Sequence, residues 1–414
     1  MRHHRSRVIV AGLALAAMLS ACSSGSSNSA SSTPPPTSTG SPATSVAGSS
    51  PAGSGSAGSG SAGSGAADSS VPQAPDKAYT IAYGNVMDAS PLFKLVGDNM
   101  VSDGEKLGYT VKRYDNAFDA SKVLSNAQLM VQQKPDLIVD WIGVDSIGKS
   151  VGTVFSRAKT PCIAVNQQIE GCAFFNLVNA QLGQQASSIA AKAIKDNGWT
   201  AADTTVVFLF TPGAGDEVNS NGRYFYSFLA KELTDFPQAT PESITDSTTS
   251  LGSLPNFVQV NGGSALEPSY TAMKNQLQVL PKGRHLMIFT QNDDSALGAW
   301  RAITQQSREA DTLIIGQGAN ADGLKQLRTN PSWIAEGSVF FEYWPHYLLA
   351  MATAMLGGAT PPALTLAPQV VMSKDTVAQY YGTGDHPIKA PELPKENEYL
   401  LSTGILQKLG TVQG

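Results

Sequence analysis

From Tyr79 onward, short apolar runs rich in β-branched residues alternate with amphipathic stretches of helical period. Runs such as Leu137-Ile138-Val139 and Leu313-Ile314-Ile315 are continuously apolar, which is typical of parallel strands that helices cover on both faces. The clearest helix follows Asp119, a predicted N-cap, and places its apolar residues on one face. This alternation predicts right-handed βαβ units and doubly wound parallel sheets. We predict strands at residues 80–86, 110–115, 136–142, 162–166, 205–210, 286–290, 312–316 and 338–342.

The N-terminus has the pattern of an export signal. Three arginines precede an apolar run over residues 8–19, which ends in Leu19-Ser20-Ala21-Cys22. Small residues before a cysteine are typical of a bacterial lipoprotein signal, in which the thiol carries the lipid. We therefore expect a signal peptide over residues 1–21 and an extracytoplasmic protein that Cys22 anchors to the cell membrane. Residues 22–78, which are mostly Ser, Gly, Ala, Pro and Thr, predict a disordered linker.

Charge and ligand spacing exclude two classes of function. The net charge is −5 and no basic run is interleaved with aromatic residues, so the sequence predicts no nucleic-acid partner. The five histidines show no metal-ligand spacing, so no metal is expected. Outside the cytoplasm, Cys162 and Cys172 are expected to form a disulfide. Two separate buried thiols remain the alternative.

The order of several motifs resembles that of the type I periplasmic sugar-binding proteins, the ribose- and galactose-binding group. The most specific motif is the segment from Thr290 to Ala299, which is similar to the Asn-Asp-x-x-Ala-x-Gly-Ala segment of that family. The other motifs are Ser90-Pro91-Leu92-Phe93, Lys134-Pro135-Asp136, the segment from Thr160 to Asn166, Asn179 followed by Gly183, and Arg223.

The resemblance implies two doubly wound α/β lobes joined by hinge crossings near Ala180, Glu342 and Met372. The N-terminal lobe would hold residues 79–179 and 342–372, and the C-terminal lobe residues 180–341 and 373–414. It also implies a monomeric protein without a cofactor, which is not an enzyme. Such a protein captures a sugar, polyol or cyclitol between its lobes and delivers it to the membrane permease of an ABC importer. A receptor of the same fold that signals to a membrane sensor is the alternative.

Ligand contacts are expected where the strands end, because ligands bind beyond the carboxyl ends of parallel strands. Asn166 and Gln167 stand where the resembled family has Asp and Arg, which favours a neutral ligand. The candidate ligand-binding residues, from the resemblance and from their positions, are Phe93, Asp140, Trp141, Asn166, Gln167, Asn179, Arg223, Asn292, Gln317 and Glu342.

One motif points to a different function. The segment from Gly143 to Ser150 matches the phosphate-binding P-loop pattern and follows a predicted strand. A nucleotide-binding protein in which Lys149 reaches a phosphate is therefore a remote alternative. The motif follows the third predicted strand rather than the first, and export would place it where ATP is scarce.

Overall fold

The computed structural model describes residues 77–245 and 254–412. The predicted signal peptide, the lipidation at Cys22 and nearly all of the predicted linker lie outside the described residues. The strands are β1 Thr80–Asn85, β2 Thr110–Asp115, β3 Leu137–Asp140, β4 Cys162–Val165, β5 Ala173–Asn176, β6 Thr204–Phe210, β7 Phe257–Asn261, β8 His285–Thr290, β9 Thr312–Gln317, β10 Trp333–Ser338, β11 Thr365–Leu366 and β12 Val370–Ser373. The helices are α1 Pro91–Lys106, α2 Ala120–Gln132, α3 Gly148–Ala158, α4 Asn179–Asp196, α5 Gly215–Glu232, α6 Leu266–Val279, α7 Asp293–Gln305, α8 Ala321–Thr329, α9 Trp344–Leu356, α10 Val377–Tyr381, α11 Glu398–Leu401 and α12 Ile405–Lys408.

The strands form two sheets of six, and each sheet is the centre of one lobe. The first lobe has the strand order β11-β5-β4-β3-β1-β2, and the second has β12-β10-β9-β8-β6-β7. All neighbouring strands are parallel except β10 and β12, which are antiparallel. The predicted fold class, two doubly wound parallel-sheet lobes, is confirmed.

Several local predictions are confirmed by the elements themselves. The strand at 110–115 has the predicted bounds, and the Asp119 side chain caps α2 by accepting a hydrogen bond from the backbone N–H of Lys122 at 2.8 Å. The strands β3 and β6, which are apolar over most of their length, are buried at every residue. This burial follows from helices that cover both faces of a parallel sheet.

The predicted strand at 338–342 is wrong. The strand ends at Ser338, Phe340 has a left-handed backbone with φ 52°, and Phe341–Tyr343 form a 3-10 turn. This segment passes from one lobe to the other, so Val339 and Phe340 are buried without sheet pairing. The sequence also missed β5, β7 and the short β11 and β12.

The chain passes between the lobes after β5, after β10 and between β11 and β12. The predicted boundary at Met372 is corrected, because Val370–Ser373 pairs with β10 and therefore belongs to the second lobe. The assignment of residues 373–414 to the C-terminal lobe is also corrected for its last part. Both α11 and α12 pack on α9 of the first lobe, and the Asn397 side chain exchanges two hydrogen bonds with the backbone of Leu366, at 3.0 and 2.5 Å. The chain thus crosses a fourth time between α10 and α11.

Close packing of α4 on α5 brings polar residues of α5 toward the gap between the lobes. A Cβ on Gly183 would lie 2.5 Å from the carbonyl oxygen of Asn221, so a side chain at this position would force the two helices apart. None of the helices within the described ranges is long and apolar enough to cross a membrane.

Candidate ligand-binding cleft

A cavity lies between the lobes, beyond the carboxyl ends of the strands. It encloses about 690 Å³ of space, including the space that opens to solvent. Its lining residues are Val86, Phe93, Phe118, Trp141, Asn166, Gln167, Leu177, Asn179, Ala214, Val218, Asn221, Ser264, Gln291, Asn292, Gln317, Gly318, Val339, Phe341 and Trp344.

The second lobe contributes mostly amide side chains. Gln291 and Asn292 follow β8, Gln317 ends β9, Asn221 lies on α5 and Asn179 begins α4. We call these five residues the amide wall. Their positions follow from the parallel topology, in which the ends of neighbouring strands meet at one edge of the sheet.

The first lobe and the crossing after β10 contribute aromatic side chains. We call Phe93, Phe118, Trp141, Phe341 and Trp344 the aromatic wall. Trp141 is near-parallel to Phe341 at a centroid distance of 6.0 Å and is tilted by 33° against Trp344 at 5.0 Å. Phe93 meets Trp141 edge-to-face at 5.1 Å. Offset and edge-to-face contacts of this kind stabilise aromatic clusters beyond their buried area.

Four amide atoms of the lining residues are buried and have no hydrogen-bond partner among the described residues. They are Gln167 Oε1, Asn221 Oδ1, Gln291 Oε1 and Gln317 Nε2. Asn221 donates to Gln317 Oε1 at 3.5 Å, which leaves the second amide atom of each side chain without a partner. A buried polar group without a partner costs about 1–3 kcal/mol, so these atoms favour a ligand that can both donate and accept.

The loop that carries Asn166 and Gln167 is closed by a disulfide. Cys162 begins β4 and Cys172 immediately precedes β5, and their sulfurs are bonded. The predicted pairing is therefore confirmed. Asn166 has a left-handed backbone with φ 63°, which Asn tolerates better than most residues. The bridge holds together the two ends of the loop from Cys162 to Cys172.

Seven of the ten predicted ligand-binding residues line the cavity. They are Phe93, Trp141, Asn166, Gln167, Asn179, Asn292 and Gln317. Asn292 also caps α7, because its side-chain oxygen accepts from the backbone N–H of Ser295 at 2.8 Å. Asn179 donates to Glu217 at 3.1 Å.

Asp140, Arg223 and Glu342 do not line the cavity, and their predicted placement there is corrected. Arg223 pairs with Asp216 at 2.9 Å on the same helix. Glu342 pairs with His386 at 3.1 Å in a separate depression beside the cleft. Burial raises the pKa of the Glu342 carboxyl, and His386 opposes this shift.

Asp140 ends β3 but points into the first lobe. Its Oδ1 accepts from Asn116 at 2.9 Å, and Asn116 in turn accepts from Asn126 at 2.9 Å. The side chain is fully buried, and this burial raises the pKa of Asp140 to about 7 although the hydrogen bond from Asn116 lowers it. Asp140 therefore belongs to a buried polar cluster.

Sequence reasoning missed several lining residues. Gln291 directly precedes Asn292 at the end of β8, so the strand-end rule could have found it. Phe341 and Trp344 lie in and after the crossing, where no local pattern distinguishes a cleft residue from a core residue. Phe118 and Asn221 reach the cavity only through tertiary packing.

The P-loop alternative does not fit the local geometry. The helix after β3 begins at Gly148, where an added Cβ would lie 2.1 Å from the carbonyl oxygen of Gln168. The carbonyl oxygen of another loop, rather than open space, therefore packs against the start of this helix. Lys149 is exposed and does not line the cavity. Across the described ranges, no group of three or more His, Cys, Asp or Glu residues could hold a metal ion.

The lobes also contact each other directly. The Ser90 hydroxyl at the start of α1 donates to Asp294 of α7 at 3.3 Å. A Cβ on Gly213 of the second lobe would lie 3.7 Å from the Phe118 ring of the first lobe. The two lobes therefore meet around the cavity rather than standing apart.

Two lobes of parallel sheet with a cavity between them, beyond the carboxyl ends of the strands, are the architecture of a solute-binding protein. The family model described as a periplasmic binding protein domain matches residues 82–356. The chain therefore belongs to the periplasmic binding protein family, in its type I sugar-binding group, and is an extracytoplasmic solute-binding protein rather than an enzyme.

Known relatives agree with this assignment. The ribose import binding protein of Salmonella typhimurium is 27% identical over 242 residues, which cover 58% of this chain and 72% of the relative. The ribose import binding protein of Escherichia coli is 26% identical over 241 residues, with the same coverage. Among solved structures, one similar protein is a solute-binding protein of an ABC transporter from Mycobacterium smegmatis with bound glycerol. It has a TM-score of 0.62 at 15% sequence identity, and the match covers 76% of this chain and 100% of that protein. A solute-binding protein of an ABC transporter from Agrobacterium vitis with bound allitol has a TM-score of 0.60 at 16% sequence identity. The match covers 73% of this chain and 98% of that protein.

Proposed function

We propose that this protein captures a small neutral polyhydroxy compound in the interlobe cavity and delivers it to the permease of an ABC importer. The observation that carries the proposal is the set of buried amide atoms without partners at Gln167, Asn221, Gln291 and Gln317. Sugar and polyol hydroxyls both donate and accept hydrogen bonds, so they satisfy carbonyl oxygens and amide N–H groups together.

The charge of the cavity supports a neutral ligand. Among the described residues, those that line the cavity are all uncharged at neutral pH. A carboxylate or phosphate would lose its hydration there without gaining a cationic partner, which is costly in a buried site. Sugar acids, sugar phosphates and amino acids are therefore disfavoured.

The second part of the proposal concerns membrane anchoring of the protein and delivery of the ligand to the permease. A lipid on Cys22 would keep the protein at the membrane that holds the permease, and the linker over residues 22–78 would let the two lobes reach it. An uptake assay with radiolabelled ligand tests this in cells that lack the gene. The wild-type gene should restore uptake, and restoration by a variant that no longer binds ligand would contradict the proposal.

Ligand binding is tested by a thermal-shift screen of sugars, polyols, cyclitols, nucleosides, amino acids and sugar phosphates, followed by calorimetry. A neutral polyhydroxy ligand at 100 times its Kd should add about 2.7 kcal/mol to the free energy of unfolding. Binding of an amino acid or sugar phosphate, with neutral polyols inert, would refute the proposal.

A pair of neighbouring glutamines offers a matched test of the site. Gln167 is buried and lines the cavity, whereas Gln168 is exposed and does not. Gln167→Ala should weaken affinity about tenfold, because one buried hydrogen bond contributes about 1–1.5 kcal/mol. Gln168→Ala should bind like the wild type. Equal effects of the two substitutions would show that the cavity is not the binding site.

A further inference from the structure

The cavity is divided by polarity, because the amide wall belongs to the second lobe and the aromatic wall to the first lobe and the crossing after β10. Resting on the proposed function, we infer that the ligand is a sugar with an apolar substituent, namely a deoxygenated or O-alkylated sugar. Its hydroxyls face the amide wall and its apolar side faces the aromatic wall.

The arrangement of the aromatic rings argues against simple stacking of an unmodified sugar ring. A stacking platform needs a free ring face, but Trp141 and Trp344 expose only 2% and 0% of their surfaces. Trp141 is near-parallel to Phe341 and tilted on Trp344, so these rings cover much of one another's faces. The accessible part of the wall therefore comes from the half-buried Phe93, Phe118 and Phe341, an apolar surface that suits an alkyl group.

Hydroxyl groups on the side of the ligand that faces the aromatic wall would have few hydrogen-bond partners. Val86, Val339 and Leu177 extend the apolar lining around the aromatic wall. A buried hydroxyl without a partner is costly, whereas a methyl or methylene group against this surface gains contact area. Each buried methylene contributes about a fourfold gain in affinity, and loss of an unpartnered hydroxyl adds to that gain.

Most polar groups of the described cavity lining belong to the second lobe. The unpartnered atoms of Asn221, Gln291 and Gln317 all belong to the amide wall, and within the described lining only Asn166 and Gln167 bring amides from the first lobe. No charged side chain among the described lining residues compensates for lost hydroxyl contacts. Affinity therefore depends on apolar burial together with neutral hydrogen bonds.

Calorimetry on matched ligand pairs tests the inference. The pairs are galactose, glucose and mannose, each against its 6-deoxy counterpart and its α- and β-methyl glycosides. For at least one sugar, a derivative should bind at least fivefold more tightly than the parent. If parents bind as tightly as all their derivatives, the inference is overturned and the proposed function stands. If neither parents nor derivatives bind, the inference is overturned, and the broader neutral-polyol screen above decides the proposed function separately.

Substitutions test the roles of the two walls separately. The quantity compared is the ratio of the affinity for the derivative to the affinity for the parent sugar, and a general loss of stability leaves this ratio unchanged. Phe341→Ser, at a half-buried position of the aromatic wall, should reduce this ratio to about one. Asn221→Ala should weaken both ligands equally and keep the ratio. Leu95→Ser, at a residue of α1 that is 45% exposed and does not line the cavity, is the control and should leave both affinities unchanged. A Phe341→Ser variant that retains the full preference would overturn the inference.

Discussion

Asp140 provides a test of whether a buried carboxyl beneath the cavity acts in stability or in binding. Its pKa is raised by burial to about 7 from an ordinary value of 3.8. In the unfolded chain the group ionises freely, so between these two pKa values unfolding releases a proton. Since the folded state then binds more protons than the unfolded state, the free energy of unfolding must fall as the pH rises through this window.

The size of the effect follows from the shift. One pKa unit corresponds to about 1.36 kcal/mol, so a shift of about three units gives a full penalty of about 4 kcal/mol above pH 7. Between pH 5 and pH 8, about 2.6 kcal/mol of this penalty develops. If the two lobes unfold together, that corresponds to a fall in Tm of about 4 °C.

Asp140→Asn keeps an oxygen that can accept from Asn116 and removes the ionisation. The pH dependence that Asp140 contributes should therefore be absent from the variant, and the difference in Tm between the variant and the wild type should grow by about 4 °C from pH 5 to pH 8. Burial also raises the pKa of Asp293, to about 6, and that of Glu336. These two groups are present in both proteins, so the difference between the two Tm profiles isolates Asp140.

Asp136, at the other end of β3, is the control with the opposite sign. A hydrogen bond from the backbone N–H of Thr80 lowers the pKa of Asp136, and the ion pair with Lys77 lowers it further. Its contribution to stability is present above its unfolded pKa and is lost as the pH falls, so Asp136→Asn should cost stability at neutral pH but not in acid. Differential scanning calorimetry from about pH 2 to pH 8 measures both variants, because the contribution of Asp136 is lost only below its ordinary pKa.

Two results would refute this reasoning about Asp140. Parallel Tm profiles of the wild type and Asp140→Asn between pH 5 and pH 8 would show that the carboxyl does not titrate as its burial requires. A loss of affinity of tenfold or more in Asp140→Asn, with an unchanged Tm profile, would show that the residue contacts ligand. That outcome would restore the role that the sequence predicted.

Three further predictions concern the bridge, the anchor and the motion of the lobes. Replacing Cys162 and Cys172 with Ala should lower the free energy of unfolding by about 2.7 kcal/mol, from closure of a loop with a sequence separation of 10; calorimetry without a measurable loss would contradict the stabilising role. Cys22→Ala should release the protein into the medium or leave an unprocessed precursor, and a correctly cleaved protein that still fractionates with membranes would disprove the lipid anchor. Opening of the lobes without ligand should give a larger radius of gyration by small-angle scattering than with saturating ligand, and an unchanged radius would refute hinge closure.

Local sequence determined the parallel sheets and much of the cleft. Continuous apolar runs such as that of β3 predict strands covered on both faces, and polar residues after such strands must lie at the edge where ligands bind. Gln167 and Gln317 could be placed at the site in this way, and the resemblance supplied the pairing of the lobes. The disulfide followed from an oxidising compartment and two remaining cysteines.

Only the tertiary structure decided which strand-end side chains face the cavity. Asp140 and Gln317 both end a strand, but Asp140 points to Asn116 while Gln317 lies beside Asn221, and these partners come from distant parts of the chain. The end of the chain shows the same limit. Helix α9 is buried from Trp344 to Ala354, so other segments must cover it on every side. That α11 and α12 return to cover it could not be predicted, because apolar burial is non-directional and does not specify which segment supplies the contact.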